Sequence, residues 1–233
     1  PLYSSAASDV YKRQDYCLYV WSDGKDVVYL VLYVDDSLLA GTNETIMNDI
    51  IKSLSSEFKM KDLGTVQRFM GLNVAIKKES IEIDQNHYIK KILKKFSMED
   101  CKPVKTPIEV GLKLIPKDGP PTDKPFRELI GSLMFLAMGS RPDLSYVVNF
   151  FSRLQEGATD NHWSHLKRVL RYLQSSIDLK LVYNRDPDAN QLFAYVDADW
   201  GSDVSDRKST SGYLIYVYGL SLIHISEPTR PRL

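Results

Sequence analysis

Residues 27–33, VVYLVLY, are seven consecutive apolar or aromatic positions, and the chain then passes through Val34 into two adjacent carboxylates, Asp35 and Asp36. Such a run reads as a strand too apolar for a solvated face, and therefore as a central strand of a sheet. The charges at its end constrain the fold further. Neighbouring side chains of a regular strand point to opposite faces, so Asp35 and Asp36 serve one ligand only if the chain turns tightly at this point. Two gathered carboxylates repel each other unless a cation lies between them. Hard oxygen donors suit magnesium, which takes one or two carboxylates together with substrate phosphates. Two such ions would serve an in-line phosphoryl displacement. Aspartate is also an ordinary turn residue, so the pair taken alone leaves both readings open.

The flanking pattern is mixed. CLYVW (residues 17–21) reads as a strand joined to the apolar run by the Asp-Gly turn signal at Asp23-Gly24. A short third strand is expected over residues 37–40. Asn43 then caps a helix whose apolar stripe is Ile46, Ile50, Ile51, Leu54 and Phe58. Residues 66–77 and 81–84 read as a hairpin, residues 86–96 as a helix, and residues 101–125, with prolines 103, 107, 116, 120, 121 and 125, as an extended linker. Helices are expected over 126–139, 144–155 and 159–175, the last with Trp163, Leu166, Leu170 and Leu173 as its apolar stripe. Short strands follow at 180–183, 192–196 and 213–218, the final two joined through the turn-rich SDVSDRKSTSG. Strands and a helix, then helices, then strands make an α+β chain of more than one unit.

With 233 residues the chain has room for one large domain or two small ones, and 43% apolar content supports a packed core. Lysine plus arginine and aspartate plus glutamate both total 30, so any polyanion partner must be read from local clusters rather than net charge. Cys17 and Cys101 fit no metal spacing and suit a reducing compartment. No apolar run approaches the roughly 18 residues of a membrane span, and no signal peptide is evident. The expected location is intracellular, not secreted, with no membrane partner. SSAASDVYKRQ (residues 4–14) and LSLIHISEPTR (residues 220–230) both resemble translated sequencing-adapter sequence. They are expected to be artefactual tails around a window cut from something longer.

Tyr33-Val34-Asp35-Asp36 between apolar strands resembles the palm motif of reverse transcriptases, and FMGLNV (residues 69–74) resembles the hairpin with which those enzymes hold the primer end. GSLMFLAMGSRPDLSYVVNFFSR (131–153), HWSHLKRVLRYL (162–173) and YVDADWGSDVSDRKSTSGY (195–213) resemble, in the same order, the Pol polyprotein of copia-type LTR retrotransposons. The resemblance covers residues 15–219. It implies a partial palm sheet with its primer-holding hairpin over residues 15–85 and a helical thumb or connection over 86–190. The opening β-hairpin of an RNase H-like domain would occupy 191–219, with adapter-like tails at 1–14 and 220–233. Asp35 and Asp36 match the palm's metal-binding aspartates. Tyr33 would approach the primer terminus, and Val34 would hold a strained turn. Phe69, Met70 and Gly71 match the primer hairpin. Asp197 matches the first metal-binding aspartate of RNase H, with Asp199 a weaker candidate on the same strand face. The implied parent is an RNA-directed DNA polymerase with RNase H, using Mg2+, dNTPs and an RNA/DNA primer-template. It would work within the remainder of the polyprotein and a cytoplasmic virus-like particle. A third palm aspartate, the fingers and the remaining RNase H acids have no counterpart in the window. A catalytically inactive nucleic-acid-binding fragment therefore stands as an alternative, as does a metal-dependent RNase H-type nuclease with the palm as scaffold.

Two basic clusters bear on nucleic acid. HYIKKILKKF (residues 87–96) sets Lys90 and Lys94, and Lys91 and Lys95, at i,i+4 with Ile92, Leu93 and Phe96 behind them, a positive face able to lie along phosphates. A plain solvated helix face explains the same pattern. Lys167, Arg168 and Arg171 form a similar group. His162 and His165 lack a cysteine or carboxylate partner at ligand spacing and read as packing or surface residues rather than zinc ligands. The acidic loop carrying Asp203 and Asp206 fits a plain turn as well as a cation site.

Overall fold

The computed structural model describes residues 17–185, 192–201, 209–217 and 220–225. The chain divides into two compact units, Pro1–Met70 and Gly71–Leu233.

In the first unit, strands β1 (Leu18–Ser22), β2 (Val27–Tyr33) and β3 (Asp36–Gly41) form an antiparallel sheet in the order β1-β2-β3, so the apolar run is the central strand. The Asp-Gly signal makes the β1–β2 turn: Asp23 Oδ1 accepts the N–H groups of Lys25 (2.9 Å) and Asp26 (2.7 Å), and Gly24 takes a φ of +87°. Helix α1 (Glu44–Glu57) starts where expected, with Asn43 Oδ1 accepting the Thr45 N–H at 3.0 Å. Asp26 braces this corner by accepting from the Thr42 hydroxyl and the Asn43 amide. A Cβ on Gly41 would meet Val28 Cγ2 at 2.9 Å and Met47 Cγ at 3.2 Å, so α1 closes on the β2–β3 face that carries Val28. One expectation fails. β2 is central in order, but of its seven residues only Val28 is buried, and Tyr29 and Tyr33 are 44% and 48% exposed. The reason is partial cover. Met47 of α1 meets the sheet at its Val28–Gly41 end, so Leu32 and Tyr33 at the far end of β2, and Tyr29 on the opposite face from Val28, remain in solvent. The unit ends in the two-residue strand β4 (Arg68–Phe69).

The second unit opens with β5 (Leu72–Ile76) and β6 (Ser80–Asp84), an antiparallel pair with Asn73 opposite Asp84 and Ile76 opposite Ile81. Helix α2 (Asn86–Lys95) follows, then the proline-rich stretch, α3 (Phe126–Gly139), a 3-10 turn at Pro142–Leu144, α4 (Ser145–Ser152) and α5 (Asp160–Ser175). Strand β7 (Leu181–Asn184) returns to pair with β6, placing Leu181 opposite Ile83. The expected helix over 144–155 is shorter. It begins one residue later, after a 3-10 turn opened by Pro142, and ends at Ser152, beyond which the Leu154 and Gln155 N–H groups donate to Phe151 O (3.0 Å) and Ser152 O (3.4 Å) in three-residue turns instead of continuing the α-helical ladder.

The core is built by these helices. Ile89, Ile92 and Leu93 of α2, Leu129, Leu133 and Leu136 of α3, Phe151 of α4, and Leu166, Leu170 and Leu173 of α5 are all 2% exposed or less. The helical periods in the sequence therefore mark the buried faces of α2 and α5 correctly, whereas the expected stripe of α1 has no buried residue and its last member, Phe58, is an extended cap 62% exposed. Gly139 has a specific task in this packing. A Cβ there would lie 2.4 Å from Gln85 Oε1, and Gln85 is itself buried and accepts the Ser140 hydroxyl at 2.9 Å. A hydrogen-bonded buried side chain cannot swing aside cheaply. Gly139→Ala should therefore destabilise the helical unit by about 1–3 kcal/mol despite alanine's better helix propensity, read as a lower urea midpoint. An unchanged or higher midpoint would refute the packing argument.

Three strands complete the described chain: β8 (Phe193–Ala198), β9 (Ser211–Val217) and β10 (Leu220–Ile225), antiparallel in the order β10-β9-β8. Asp197 pairs with Gly212 and Tyr195 with Leu214. Residues 220–225, expected to be part of an adapter-like tail, pair along β9 from Leu220–Val217 to Ile225–Gly212. The expected tails at residues 4–14 and 226–230 lie outside the described residues. Among the described residues, no helix is long and apolar enough to cross a membrane.

Candidate functional site

The carboxylates stand at the tip of a tight hairpin. Tyr33 ends β2 and pairs directly with Asp36, the first residue of β3, leaving Val34 and Asp35 as the two-residue loop. The alternation that would separate neighbouring strand side chains therefore does not govern Asp35 and Asp36. Val34 takes a φ of +53°, at a loop position normally given to glycine. A β-branched residue there is strained by about 1–2 kcal/mol, and its side chain is 91% exposed, so no burial offsets the strain. Both aspartates are exposed. Exposed hard oxygens at a protruding tip fit magnesium, whose remaining positions are filled by water and phosphate oxygens. Among the described residues, no group of three or more His, Cys, Asp or Glu side chains gathers at any metal-sized site.

A second strained tip lies downstream. Met70 and Gly71, between β4 and β5, have φ values of +51° and +80°. Met70 is 43% exposed. On its other side, Gly71 lies against Phe135 of α3, where an added Cβ would come within 3.2 Å of Phe135 Cζ. Phe135 packs edge-on against Tyr88 of α2 with ring centroids 4.9 Å apart. The tip is thus seated on an aromatic pair that no sequence pattern announced, because the partners are separated by more than forty positions.

On α2, Lys90, Lys91, Lys94 and Lys95 are all exposed while Ile89, Ile92 and Leu93 face inward. Lys95 pairs with Glu128 of α3. Lys90, Lys91 and Lys94 form no ion pair with any described carboxylate. The cations of α5 are arranged differently. Arg168 donates from Nε to Thr106 O (3.2 Å), from one Nη to Thr106 Oγ1 (3.0 Å) and from the other to Glu109 Oε1 (3.2 Å). Arg171 Nε donates to Lys102 O at 2.7 Å. Arg168, expected among the phosphate-facing residues, is thus committed to holding the proline-rich stretch, and Arg171 partly so. A cation beside exposed carbonyls and a carboxylate is held by the nearest acceptors, which charge spacing in a sequence does not reveal.

His162 is fully buried and acts as part of a helix cap. The Thr159 N–H donates to its Nδ1 (3.2 Å), the Thr159 hydroxyl accepts the His162 N–H (3.4 Å), and its Nε2 lies 3.1 Å from Ile115 O. An acceptor at Nδ1 places the proton on Nε2. Asp118 is anchored here, and hydrogen bonds from Thr159 and then Asn161 hold its carboxyl below the usual range. Asp197 lies near the end of β8 and accepts the Ala198 N–H at 2.9 Å. Asp199, expected on the same strand face, falls one residue beyond β8 and accepts the Thr210 N–H at 2.8 Å. Asp203 and Asp206 lie outside the described residues.

Sequence reasoning passed over Arg141, the largest fully buried side chain among the described residues. Its guanidinium grips Asp143 in a two-pronged pair (3.0 and 2.8 Å) and donates to Ser176 O and Oγ (3.0 and 2.8 Å). It also stacks over the Tyr172 ring, whose hydroxyl donates to Asp143 at 2.8 Å. The motif SRPD is therefore a clamp joining the α3–α4 connection to the end of α5. A lone arginine beside an aspartate in a sequence carries no sign of that burial.

In chain order the described residues give a carboxylate-tipped hairpin on an antiparallel sheet, a second hairpin tip with positive φ, and a lysine-faced helix. Residues 9–110 match the family model described as reverse transcriptase (RNA-dependent DNA polymerase). The chain is 35% identical over 205 residues to the retrovirus-related Pol polyprotein from transposon RE2 of Arabidopsis thaliana, covering 87% of this chain and 14% of that one. It is 34% identical over 218 residues to the Pol polyprotein from transposon TNT 1-94 of Nicotiana tabacum, covering 88% of this chain and 16% of that protein. An uncharacterized mitochondrial protein of Arabidopsis thaliana is 36% identical over 205 residues, with 88% of this chain and 84% of that protein covered. The chain carries a reverse transcriptase-like domain and is homologous to retrotransposon Pol polyproteins. It spans 14–16% of the length of the Pol polyproteins it matches. No solved structure matches it.

Proposed function

We propose that this chain carries the metal-binding hairpin and the helical nucleic-acid face of a copia-type RNA-directed DNA polymerase, performing Mg2+-dependent nucleotidyl transfer within a longer Pol polyprotein. The observation that carries the reading is the Val34 tip. A strained, solvent-exposed valine holding two carboxylates at the end of an apolar hairpin breaks local backbone preference with no packing gain, which is the mark of a functional turn. Asp35 and Asp36 would hold magnesium, which supplies charge neutralisation and orientation of phosphate oxygens. Tyr33 stands beside the tip to approach a primer terminus. Phe69, Met70 and Gly71 would support the primer strand, with Gly71 held by Phe135. Lys90, Lys91 and Lys94 contact backbone phosphates from α2, and Lys167 and the free edge of Arg171 offer further cations on a different helix, α5. Asp197 would serve a separate RNase H-type site opened by β8 and β9.

Among the described residues no third carboxylate joins Asp35 and Asp36 in a metal-sized group, and the 233-residue chain is proposed to bind primer-template without performing chemistry. The test is a filter-binding titration of an RNA–DNA hybrid at several salt concentrations. Lys90→Gln/Lys91→Gln/Lys94→Gln should lower the slope of log affinity against log salt by about 2–3, since each lost phosphate contact removes about 0.9 from a duplex slope. A slope equal to that of the unaltered chain would sink the assignment of α2 as the phosphate-binding face.

A further inference from the structure

The proline-rich stretch does not hang free as a linker. Five hydrogen bonds fix residues 102–106 along the outer face of α5. The Val104 N–H donates to Arg171 O (3.3 Å), and the Ser175 hydroxyl donates to Val104 O (2.6 Å). Arg171 Nε donates to Lys102 O (2.7 Å), and Arg168 donates to both Thr106 O and Thr106 Oγ1. Pro103 and Pro107 stiffen this strap further, since each fixes its own φ and drives the preceding residue extended. Val104 turns inward and is half-buried, whereas Lys102 and Lys105 are exposed. Neither lysine forms an ion pair with a described carboxylate. Arg171, whose Nε is bound to Lys102 O, lies four residues after Lys167 on α5, so those two cations share a helix face.

We infer that the clamped strap presents Lys102 and Lys105 beside Lys167 and Arg171 as a second phosphate-backbone track, separate from the lysines of α2. This deepens the proposed function and rests on it. Its ligand is the phosphodiester backbone of a nucleic-acid duplex. Two features favour that choice. The cations are presented by a stiffened backbone, so little backbone conformational entropy is lost when phosphates engage them. No exposed large apolar side chain stands within residues 101–107 to insert into a lipid surface. Arg168 then has a distinct part as a positioning residue: it holds the strap in place instead of touching phosphate.

The experiment uses the whole chain and an RNA–DNA hybrid, with phosphatidylserine vesicles as a second arm. Lys102→Gln/Lys105→Gln should weaken hybrid binding roughly tenfold or more near 0.1 M salt and lower the salt slope by nearly 2. Lys52→Gln/Lys59→Gln, the same charge change in the first unit, should leave both within about twofold, the additivity expected of distant sites. All four positions are exposed, so helical circular dichroism should match the unaltered chain. If the strap variant binds the hybrid normally while the α2 variant is impaired, the second track is wrong and the α2 face stands. If the unaltered chain does not bind the hybrid, both fall. Weakened vesicle binding with hybrid binding intact would also overturn the inference, because the ligand class would be wrong.

Discussion

Asparagine at either Asp35 or Asp36 in a full-length Pol polyprotein of this family should reduce template-directed primer extension by at least about 10³-fold, equivalent to about 4 kcal/mol of transition-state stabilisation. The substitution keeps the side chain's size and removes the charge that would hold a cation. Folding should be untouched. Both residues are exposed at a hairpin tip, and removing one of two neighbouring like charges relieves repulsion, so the thermal midpoint should hold or rise slightly. Labelled-primer extension on an RNA template with magnesium, run beside a thermal melt, reads both quantities. Normal extension by both variants would end the assignment of the pair as metal ligands. The 233-residue chain should give no extension product in the same assay, and template-directed extension by it, lost on Asp35→Asn, would overturn that expectation.

The second large effect concerns stability. Asp143→Ala should destabilise the helical unit by about 3 kcal/mol or more, because it leaves the fully buried Arg141 guanidinium without its counter-charge. Arg141→Met should be milder. It removes the buried charge and keeps volume, while Asp143, about one third exposed, can regain water. Urea unfolding followed by helical circular dichroism orders the two variants, and an Asp143→Ala midpoint equal to or above that of Arg141→Met would refute the clamp. Tyr172 offers an independent signal. Burial, and then its hydrogen bond to Asp143, push the phenol above its ordinary range. Its stabilising contribution is fully present below pH about 10 and is lost as the pH rises through the folded value. Ultraviolet titration should show Tyr172 ionising at lower pH in Asp143→Ala than in the unaltered chain.

Much of the secondary structure was legible because it rests on local rules. The Asp23-Gly24 turn, the Asn43 cap, the helix over 126–139 and the apolar stripes of α2 and α5 appear where pattern places them, since each depends on residues within one or two turns of one another. The carboxylate tip was legible for the same reason: the turn that gathers Asp35 and Asp36 is made by the residues themselves. Its role was legible only through family resemblance, because aspartate in a turn has an ordinary explanation.

What the sequence by itself determined is therefore most of the helices and strands, the turn that carries Asp35 and Asp36, and the exposed lysine face of α2. Only the tertiary structure decided the rest. β7 reaches back to β6 across about a hundred residues, and the aromatic seat under Gly71 joins positions with no shared period. Arg168 proved to be a tether and Arg141 a buried clamp, while Lys102 and Lys105 were lifted from a linker into a candidate binding face. The physical reason is common to all of these. A side chain's charge and shape are written in the sequence, but which acceptor lies nearest, and how much water remains around it, depends on segments that meet only after folding.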